Sequence, residues 1–261
     1  RAAFEALREK DKRLVEMVAA HAPMRDYITG AYAGQDLPAL ADIVFRVNET
    51  LRARALTEMP KDHPDRARLE VSTGFFTIST SINIGGLNKY LGHEPTNVVL
   101  EHFNQNILRK SLATAGLSPD NACIVSLGGG DFTLLLQNVV QQPDGRWRMV
   151  KESDVQNILK EIETATQALN NAPSQTFLRE EFNSASQPLE FRLIRDIPDV
   201  RQENQHGLRL FTTSRLLSIP PGRHDPGGLI AGQIRNHFEQ EKQKSPAPKI
   251  DAAPVPAAPS V

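Results

Sequence analysis

The sequence predicts a mixed α/β chain, and three observations predict it. Apolar residues recur at helical spacing in several separate stretches, most clearly at Leu40, Ile43, Val44, Val47 and Leu51. The segment from Val71 to Ile84, carrying Phe75, Phe76, Ile78, Ile82 and Ile84, reads as a mostly buried strand. The third is Cys123 to Gln137, Cys-Ile-Val-Ser-Leu-Gly-Gly-Gly-Asp-Phe-Thr-Leu-Leu-Leu-Gln, where two apolar runs flank three glycines and one carboxylate. Gly128, Gly129 and Gly130 accept positive φ without a Cβ penalty, so the stretch predicts a tight β-hairpin with Asp131 at or just after its tip. A carboxylate on a glycine turn is a candidate metal or phosphate site. Glycine and aspartate are also the default turn residues, so a plain structural hairpin accounts for the same pattern.

In chain order, Ala2 to about Ala20 carries Phe4, Leu7, Leu14, Val15 and Val18 among many charges, a narrow apolar stripe suited to pairing with a partner helix. Asp26-Tyr27-Ile28-Thr29-Gly30-Ala31 is a polar loop, and the helix after it is expected from about Leu37 to Leu56. Pro60 to Pro64 breaks the chain ahead of the Val71 to Ile84 strand. Pro95-Thr96 offers a start for a helix bearing Val98, Val99, Leu100, Phe103, Ile107 and Leu108. After the glycine hairpin, Pro143-Asp144-Gly145 marks a turn, so Val139 to Val150 is read as a smaller hairpin carrying Trp147. Val155, Ile158, Leu159, Ile162 and Leu169 give an amphipathic helix with Ser153 as its expected cap. Asn170 to Pro188 is polar and turn-rich. Two further strands are expected at Leu189 to Ile194 and Leu208 to Ile219, and a last helix bearing Leu229, Ile230, Ile234 and Phe238 ends near Lys244. The Pro/Ala-rich residues from Ser245 onward bury too little to order themselves and read as a linker or tail.

Composition narrows the function classes. At 261 residues with 39% hydrophobic content, the chain can build a real core. Lys+Arg 30 against Asp+Glu 31 leaves a net charge of −1, which gives no global electrostatic case for nucleic acid or an anionic membrane. The single cysteine, Cys123, excludes an intramolecular disulfide and a multi-cysteine metal site, and in an apolar strand it reads as a buried, inert thiol of a reducing compartment. No apolar run is long enough to span a bilayer and no signal-peptide pattern precedes the first helix. The start at Arg1 and the Pro/Ala tail read as a piece of a longer chain.

Taken together, these segments resemble the GGDEF family, the diguanylate cyclases that condense two GTP into cyclic di-GMP. Asp26-Tyr27-Ile28-Thr29-Gly30-Ala31 resembles the family's Asp-x-Leu-Thr-Gly-Leu loop, with Ala33-Gly34 in place of Asn-Arg. Ile84-Gly85-Gly86-Leu87-Asn88-Lys89-Tyr90-Leu91-Gly92-His93-Glu94-Pro95-Thr96-Asn97 resembles its Phe-Lys-x-Ile-Asn-Asp-x-x-Gly-His-x-x-Gly-Asp element, and Gly128-Gly129-Gly130-Asp131-Phe132 its signature. The resemblance spans about Asp26 to Lys244. It implies an α/β (α+β) domain with a mixed central β-sheet wrapped by helices, of the nucleotide cyclase type, with the signature hairpin at the active-site edge. The organisation expected is an N-terminal helix over 1–22, the GGDEF-like domain over 23–244 and a flexible tail over 245–261.

Such enzymes hold Mg²⁺ with carboxylates to activate a 3′-hydroxyl and neutralise triphosphate. The family's two ligand positions fall on Thr80 and Gly130, neither of which supplies a charged oxygen. Its phosphate-side lysine and arginine fall on Gly85 and Ser126. Asp131 stands next to the signature ligand position, but neighbouring strand residues point to opposite faces. The resemblance therefore implies a degenerate domain with no catalytic residue, no metal and no cofactor. What it leaves as nucleotide-binding candidates are Asn88, at the guanine-reading position, Asn97, Gly128, Gly129 and Asp131; loop geometry explains Asn88 and His93 equally well. The inhibitory Arg-x-x-Asp of many members falls on Pro119 and Ala122, and Asp120 does not replace it. The expected role is a regulatory or protein-interaction module in bacterial, cytoplasmic cyclic di-GMP signalling, without a membrane span and without nucleic acid. Its partner is a protein or other domains of a longer chain, with a homodimer through the N-terminal helix as one arrangement. The alternatives are a GTP or cyclic di-GMP receptor without turnover, and an active cyclase with an atypical metal site. Asn170 to Gly207 has no counterpart in the family pattern. Phe191, Ile194 and Ile197 beside Arg192 and Arg195 are candidates for a binding surface there, and a plain sheet extension is the alternative.

Overall fold

The computed structural model describes residues 24–71, 74–171, 194–198, 206–219 and 226–244. The helix expected over 1–22, the Pro/Ala tail, Phe191 and Arg192 lie outside the described residues, as does most of the stretch from Asn170 to Pro188.

The centre of the fold is a five-stranded mixed sheet in the order β1-β3-β4-β2-β7. β1 (Tyr32–Ala33) runs parallel to β3 (Ala122–Gly128); β3 pairs antiparallel with β4 (Asp131–Leu136), β4 with β2 (Gly74–Ile82), and β2 with β7 (Leu210–Ser218). All nine residues of β2 are buried, because the strand is hydrogen-bonded on both edges and covered on both faces. Its residues still alternate in type, with Phe76, Ile78 and Ile82 on one face and the hydroxyls of Thr77, Ser79 and Ser81 on the other.

Helices cover the two faces. On one face, α1 (Leu37–Glu58) and α6 (Pro226–Lys244) pack Leu37, Leu40, Val44, Ile230 and Ile234 against Phe75, Val125, Leu135 and Leu217. On the other, α3 (Gly85–Leu91), α4 (His93–His102) and α5 (Glu152–Asn171) enclose Phe76, Ile78, Ile82, Phe132 and Leu134. After α4 the chain stays helical through a π-helical stretch, Phe103–Leu108, then Arg109–Ser111 and a 3-10 turn, Leu112–Ala115. Gly116, at φ 63°, ends it in the left-handed region that glycine occupies cheaply. The small hairpin forms as expected from β5 (Val139–Gln141) and β6 (Trp147–Met149). With Ala55, Met59 and Leu69 it makes a third, smaller core. Cys123 packs at the edge of the α1 core; burial pushes its thiol up to about 12 in spite of the nearby Arg25 charge.

Several boundaries differ from the sequence reading, each for a local reason. Val71 does not open β2; it ends a short helix, α2 (Arg66–Val71), and is 81% exposed. Arg66 holds that helix to the end of α1 by donating to the Leu56 and Met59 carbonyls at 2.7 and 2.9 Å. Gly85–Leu91 is helical despite its two glycines, and α4 starts at His93 rather than at Pro95-Thr96. Pro95 sits in the first turn, where its missing N–H costs nothing, and the Thr96 hydroxyl bonds back to the Gly92 carbonyl at 2.8 Å. Ser153 is not the cap of α5, since it lies inside the first turn. Asp154 instead accepts the Lys151 N–H at 2.9 Å. Asn170 belongs to α5, and its amide brackets Leu208 of the chain leading into β7, accepting from its N–H at 2.7 Å and donating to its carbonyl at 2.8 Å. Residues 194–196 form a 3-10 turn rather than the end of a strand. Ile194 and Ile197 are 0% and 2% exposed in the main core, so they offer no binding surface; Arg195 is exposed beside Asp196.

The only tryptophan reports on one ion pair. The Trp147 indole N–H donates to Glu58 at 2.7 Å, and Arg54 Nε donates to the other Glu58 oxygen at 2.8 Å. The Arg54 hydrogen bond first, then that of Trp147, holds the Glu58 carboxyl below its usual 4.5. A lowered folded-state value means that the anion stabilises the fold above the unfolded value, and that this contribution is lost as pH falls through the lower folded one. Acid titration of tryptophan fluorescence is expected to show a step with its midpoint below 4.5, and Glu58→Gln is expected to remove the step.

Candidate functional site

The glycine hairpin and the Asp26–Ala31 loop meet at one end of the sheet. There they border a cleft of about 690 Å³, with Arg25, Arg235, Phe238 and Glu239 completing its walls. The hairpin tip forms as the sequence predicts. Gly128 pairs with Asp131, leaving a two-residue turn, and Gly129 and Gly130 have φ of 62° and 91°, the positive values that a type I′ turn requires at both central positions.

Gly130 is held for a second reason. Its carbonyl accepts the Ile82 N–H at 3.0 Å, and a Cβ built on it would lie 2.3 Å from the Ile82 carbonyl oxygen. The backbone at the end of β2 therefore occupies the space into which any side chain at position 130 would have to grow. Gly129 differs, having open space where its Cβ would be.

Asp131, half-buried on the hairpin, is already paired within the chain. Lys242, in the last turn of α6, donates to both of its carboxylate oxygens at 3.0 and 2.9 Å, and the Ser81 hydroxyl donates at 2.5 Å. Bidentate contact with an ammonium plus a hydroxyl donor occupies most of a carboxylate's acceptor capacity. Lys242 also sits where a cation suits the helix dipole. Ser81 pairs with Asp131 across β2 and β4, and Thr80 pairs with Phe132. The Thr80 side chain therefore shares the α3–α5 face with Ile78 and Ile82 and is 0% exposed, whereas Asp131 projects to the α6 face. Positions 80 and 131 therefore lie on opposite sides of the sheet. Thr80 Oγ1 is buried with no hydrogen-bond partner. Among the described residues, no three His, Cys, Asp or Glu side chains converge as a metal site would need.

The Asp26 loop is built by its own side chains. Asp26 accepts the Ile28 N–H at 3.1 Å and the Thr29 hydroxyl at 2.8 Å, while its backbone bonds to Gly30 and Ala31. The π-helical stretch turns Asn104 toward this loop, where its amide donates to the Thr29 carbonyl at 2.7 Å. Arg25 lies over the Tyr32 ring at 3.7 Å and donates to the Gly30 carbonyl at 3.2 Å; Arg235 donates to the Gly34 carbonyl at 3.0 Å. Across the cleft, two guanidiniums face the carboxylates of Asp26, Asp131 and Glu239, and Lys242 brings the balance to three against three.

Of the residues singled out in the sequence, Gly128, Gly129 and Asp131 line this cleft. Asn88 and Asn97, half-buried on α3 and α4, do not line it. Sequence reasoning missed Lys242, Ser81, Arg25 and Arg235. Lys242 is 111 residues from Asp131 and carries no local signal beyond its place near a helix end.

No family model matches the chain, and no curated protein matches it. Among solved structures it is similar to the diguanylate cyclase SiaD of Pseudomonas aeruginosa, solved in complex with its activator SiaC. That likeness has a TM-score of 0.44 at 11% identity and covers 93% of this chain and 67% of that one. It is also similar to the GGDEF domain of FimX from Pseudomonas aeruginosa, with a TM-score of 0.40 at 12% identity, covering 85% of this chain and 96% of that one. A third is the GGDEF domain of PA1120 (YfiN or TpbB) from the same organism, with a TM-score of 0.36 at 16% identity over 76% and 88% of the two chains. Likenesses at these scores assign no chemistry to this chain.

The two tip glycines separate strain from close approach. Gly129→Ala is expected to cost about 1 kcal/mol for its left-handed backbone alone. Gly130→Ala is expected to cost well over about 2 kcal/mol, because the Ile82 carbonyl must also move. Urea unfolding of the two variants measures the difference. With its loop, central strand and glycine hairpin in the order read from the sequence, the chain resembles the GGDEF domains in fold.

Proposed function

We propose that the chain is a catalytically inactive GGDEF-type domain, acting as a regulatory or protein-interaction module in bacterial cyclic di-GMP-related signalling. The observation that carries this reading is the state of the hairpin. Its one carboxylate, Asp131, is tied to Lys242 and Ser81, while position 130 has no room for a second. Position 80 holds a buried threonine on the other face of the sheet. Joining two triphosphates needs cations placed against developing charge, and a cleft with three positive groups against three negative ones offers no surplus. A module of this kind works through a protein partner or through other domains of a longer chain, in the cytoplasm; a homodimer through the N-terminal helix is one such arrangement. Among the described residues, no helix is long and apolar enough to cross a membrane.

A second reading, a receptor that binds GTP or cyclic di-GMP without turnover, draws on the volume of the cleft and on Arg25 and Arg235 at its wall. Asn88 and Asn97 add nothing to that cleft, which weakens the guanine-reading part of this alternative.

Incubation of saturating protein with GTP and Mg²⁺ for hours is expected to give no cyclic di-GMP, and Gly130→Asp is expected to give none either. Product from the parent chain, abolished by Asp131→Ala, would overturn the inactive reading. Product from Gly130→Asp would show the placement of the two ligand positions to be wrong. Calorimetric heat with either nucleotide, lost in Arg235→Ala, would favour the receptor.

A further inference from the structure

A second cavity, of about 270 Å³, lies between α1 and the outer edge of the sheet, away from the hairpin tip. Its surface is mixed: Leu40, Ile43, Val44 and Val47 of α1, with Cys123 and Leu135 of the hairpin strands, form an aliphatic side, and Arg25, Arg109, Asp120 and Gln137 form a polar one. Ile43 and Val47 keep the helical spacing of a core stripe, yet both remain partly exposed because the sheet does not reach them here. β1 is only two residues long and pairs with Val125 and Ser126, so it leaves the edge of β3 at Ala122 to Ile124 without a strand partner among the described residues.

Three charged side chains line the cavity, Arg25, Arg109 and Asp120, and Arg25 borders the hairpin cleft as well. Arg109 is the unexplained one. It is half-buried, its Nε is shielded from solvent with no hydrogen-bond partner, and among the described residues it has no ion-pair partner. A guanidinium nitrogen withdrawn from water without a partner is unfavourable, and the planar fork of the group matches a carboxylate. Arg25 is held in place by Tyr32 and the Gly30 carbonyl.

We infer that this cavity is a binding site for a small amphiphilic monoanion, a carboxylate carrying an apolar body, with its head on Arg109 and Arg25 and its body along α1. The one guanidinium with an unpartnered nitrogen matches one negative group, and the aliphatic side of the cavity favours an anion with an apolar body. A cyclic dinucleotide carries two phosphates and leaves that aliphatic side unused. The inference does not depend on whether the hairpin cleft is active.

The test is calorimetry on the whole chain, with octanoate as the probe and acetate and 1-octanol as its two halves. Octanoate is expected to bind one to one, with acetate and octanol at least about tenfold weaker, because each lacks one of the two contacts. Arg109→Gln is expected to weaken octanoate by about tenfold or more while leaving thermal stability equal or higher, since it removes an unpaired, partly buried charge. Val47→Trp, which places an indole on the aliphatic side of the cavity, is expected to abolish binding. No heat with octanoate up to about 10 mM, or binding that survives Arg109→Gln and Val47→Trp, would overturn the inference.

Discussion

The close approach of Gly130 to the end of β2 sets the geometry of the whole site. A strand pair normally diverges at its turn, but here the Gly130 carbonyl takes the Ile82 N–H, and the missing Cβ lets the two backbones touch. This contact closes the hairpin against the central strand rather than leaving it as a free tip. Because side-chain direction alternates along a strand, fixing that register also fixes where Asp131 points. It points to α6, and Lys242 meets it there. The ion pair follows from the hairpin register, which the glycine contact secures.

The two faces of the sheet then differ in kind. The α3–α5 face is apolar from Phe76 to Phe132, and Thr80 is its polar exception. The α6 face becomes polar toward the hairpin tip. The Ser79 and Thr133 hydroxyls bond to each other at 3.0 Å, Ser81 and Lys242 bond to Asp131, and Thr213 bonds to His237 of α6 at 3.2 Å. The last turns of α6 are therefore held by Phe238 and by polar contacts rather than by a broad apolar seam. A partly buried ion pair gives modest net stability after desolvation but strong orientation, so Lys242 acts on the angle and register of α6 more than on the total stability.

Much of this fold was legible in the sequence because the relevant physics is local. Glycine at positive φ, apolar runs bounded by turn residues and the 3.6-residue stripe of α1 each announce themselves within about ten residues. What the sequence reading misses or misreads lies where a distant partner decides. Gly85–Leu91, which that reading gives no helix, is helical in spite of its glycines because it packs Leu87 into the main core. Val71 reads as strand by type, but the arginine that holds its helix to α1 acts through carbonyls at the far end of another element. At the site, that positions 80 and 130 hold no carboxylate is plain from residue type. The pairing of Asp131 is not, because nothing near Lys242 in the chain marks it as the partner of a residue 111 positions away.

The charges around the Asp26 loop divide between its two sides, and Arg25 borders both cavities. On the hairpin side, Arg25, Arg235 and Lys242 stand against Asp26, Asp131 and Glu239, and the sum is zero. On the α1 side, with Arg25 already counted, Arg109 and Asp120 remain beside the aliphatic side chains of α1, and Arg109 Nε has no hydrogen-bond partner. A guanidinium nitrogen without a partner beside aliphatic side chains is a stronger recognition element than a set of groups already paired with one another, because low surrounding polarity strengthens the electrostatics. The unmet hydrogen-bonding capacity thus lies beside α1, while the hairpin that first draws the eye in the sequence is electrically satisfied by its own chain.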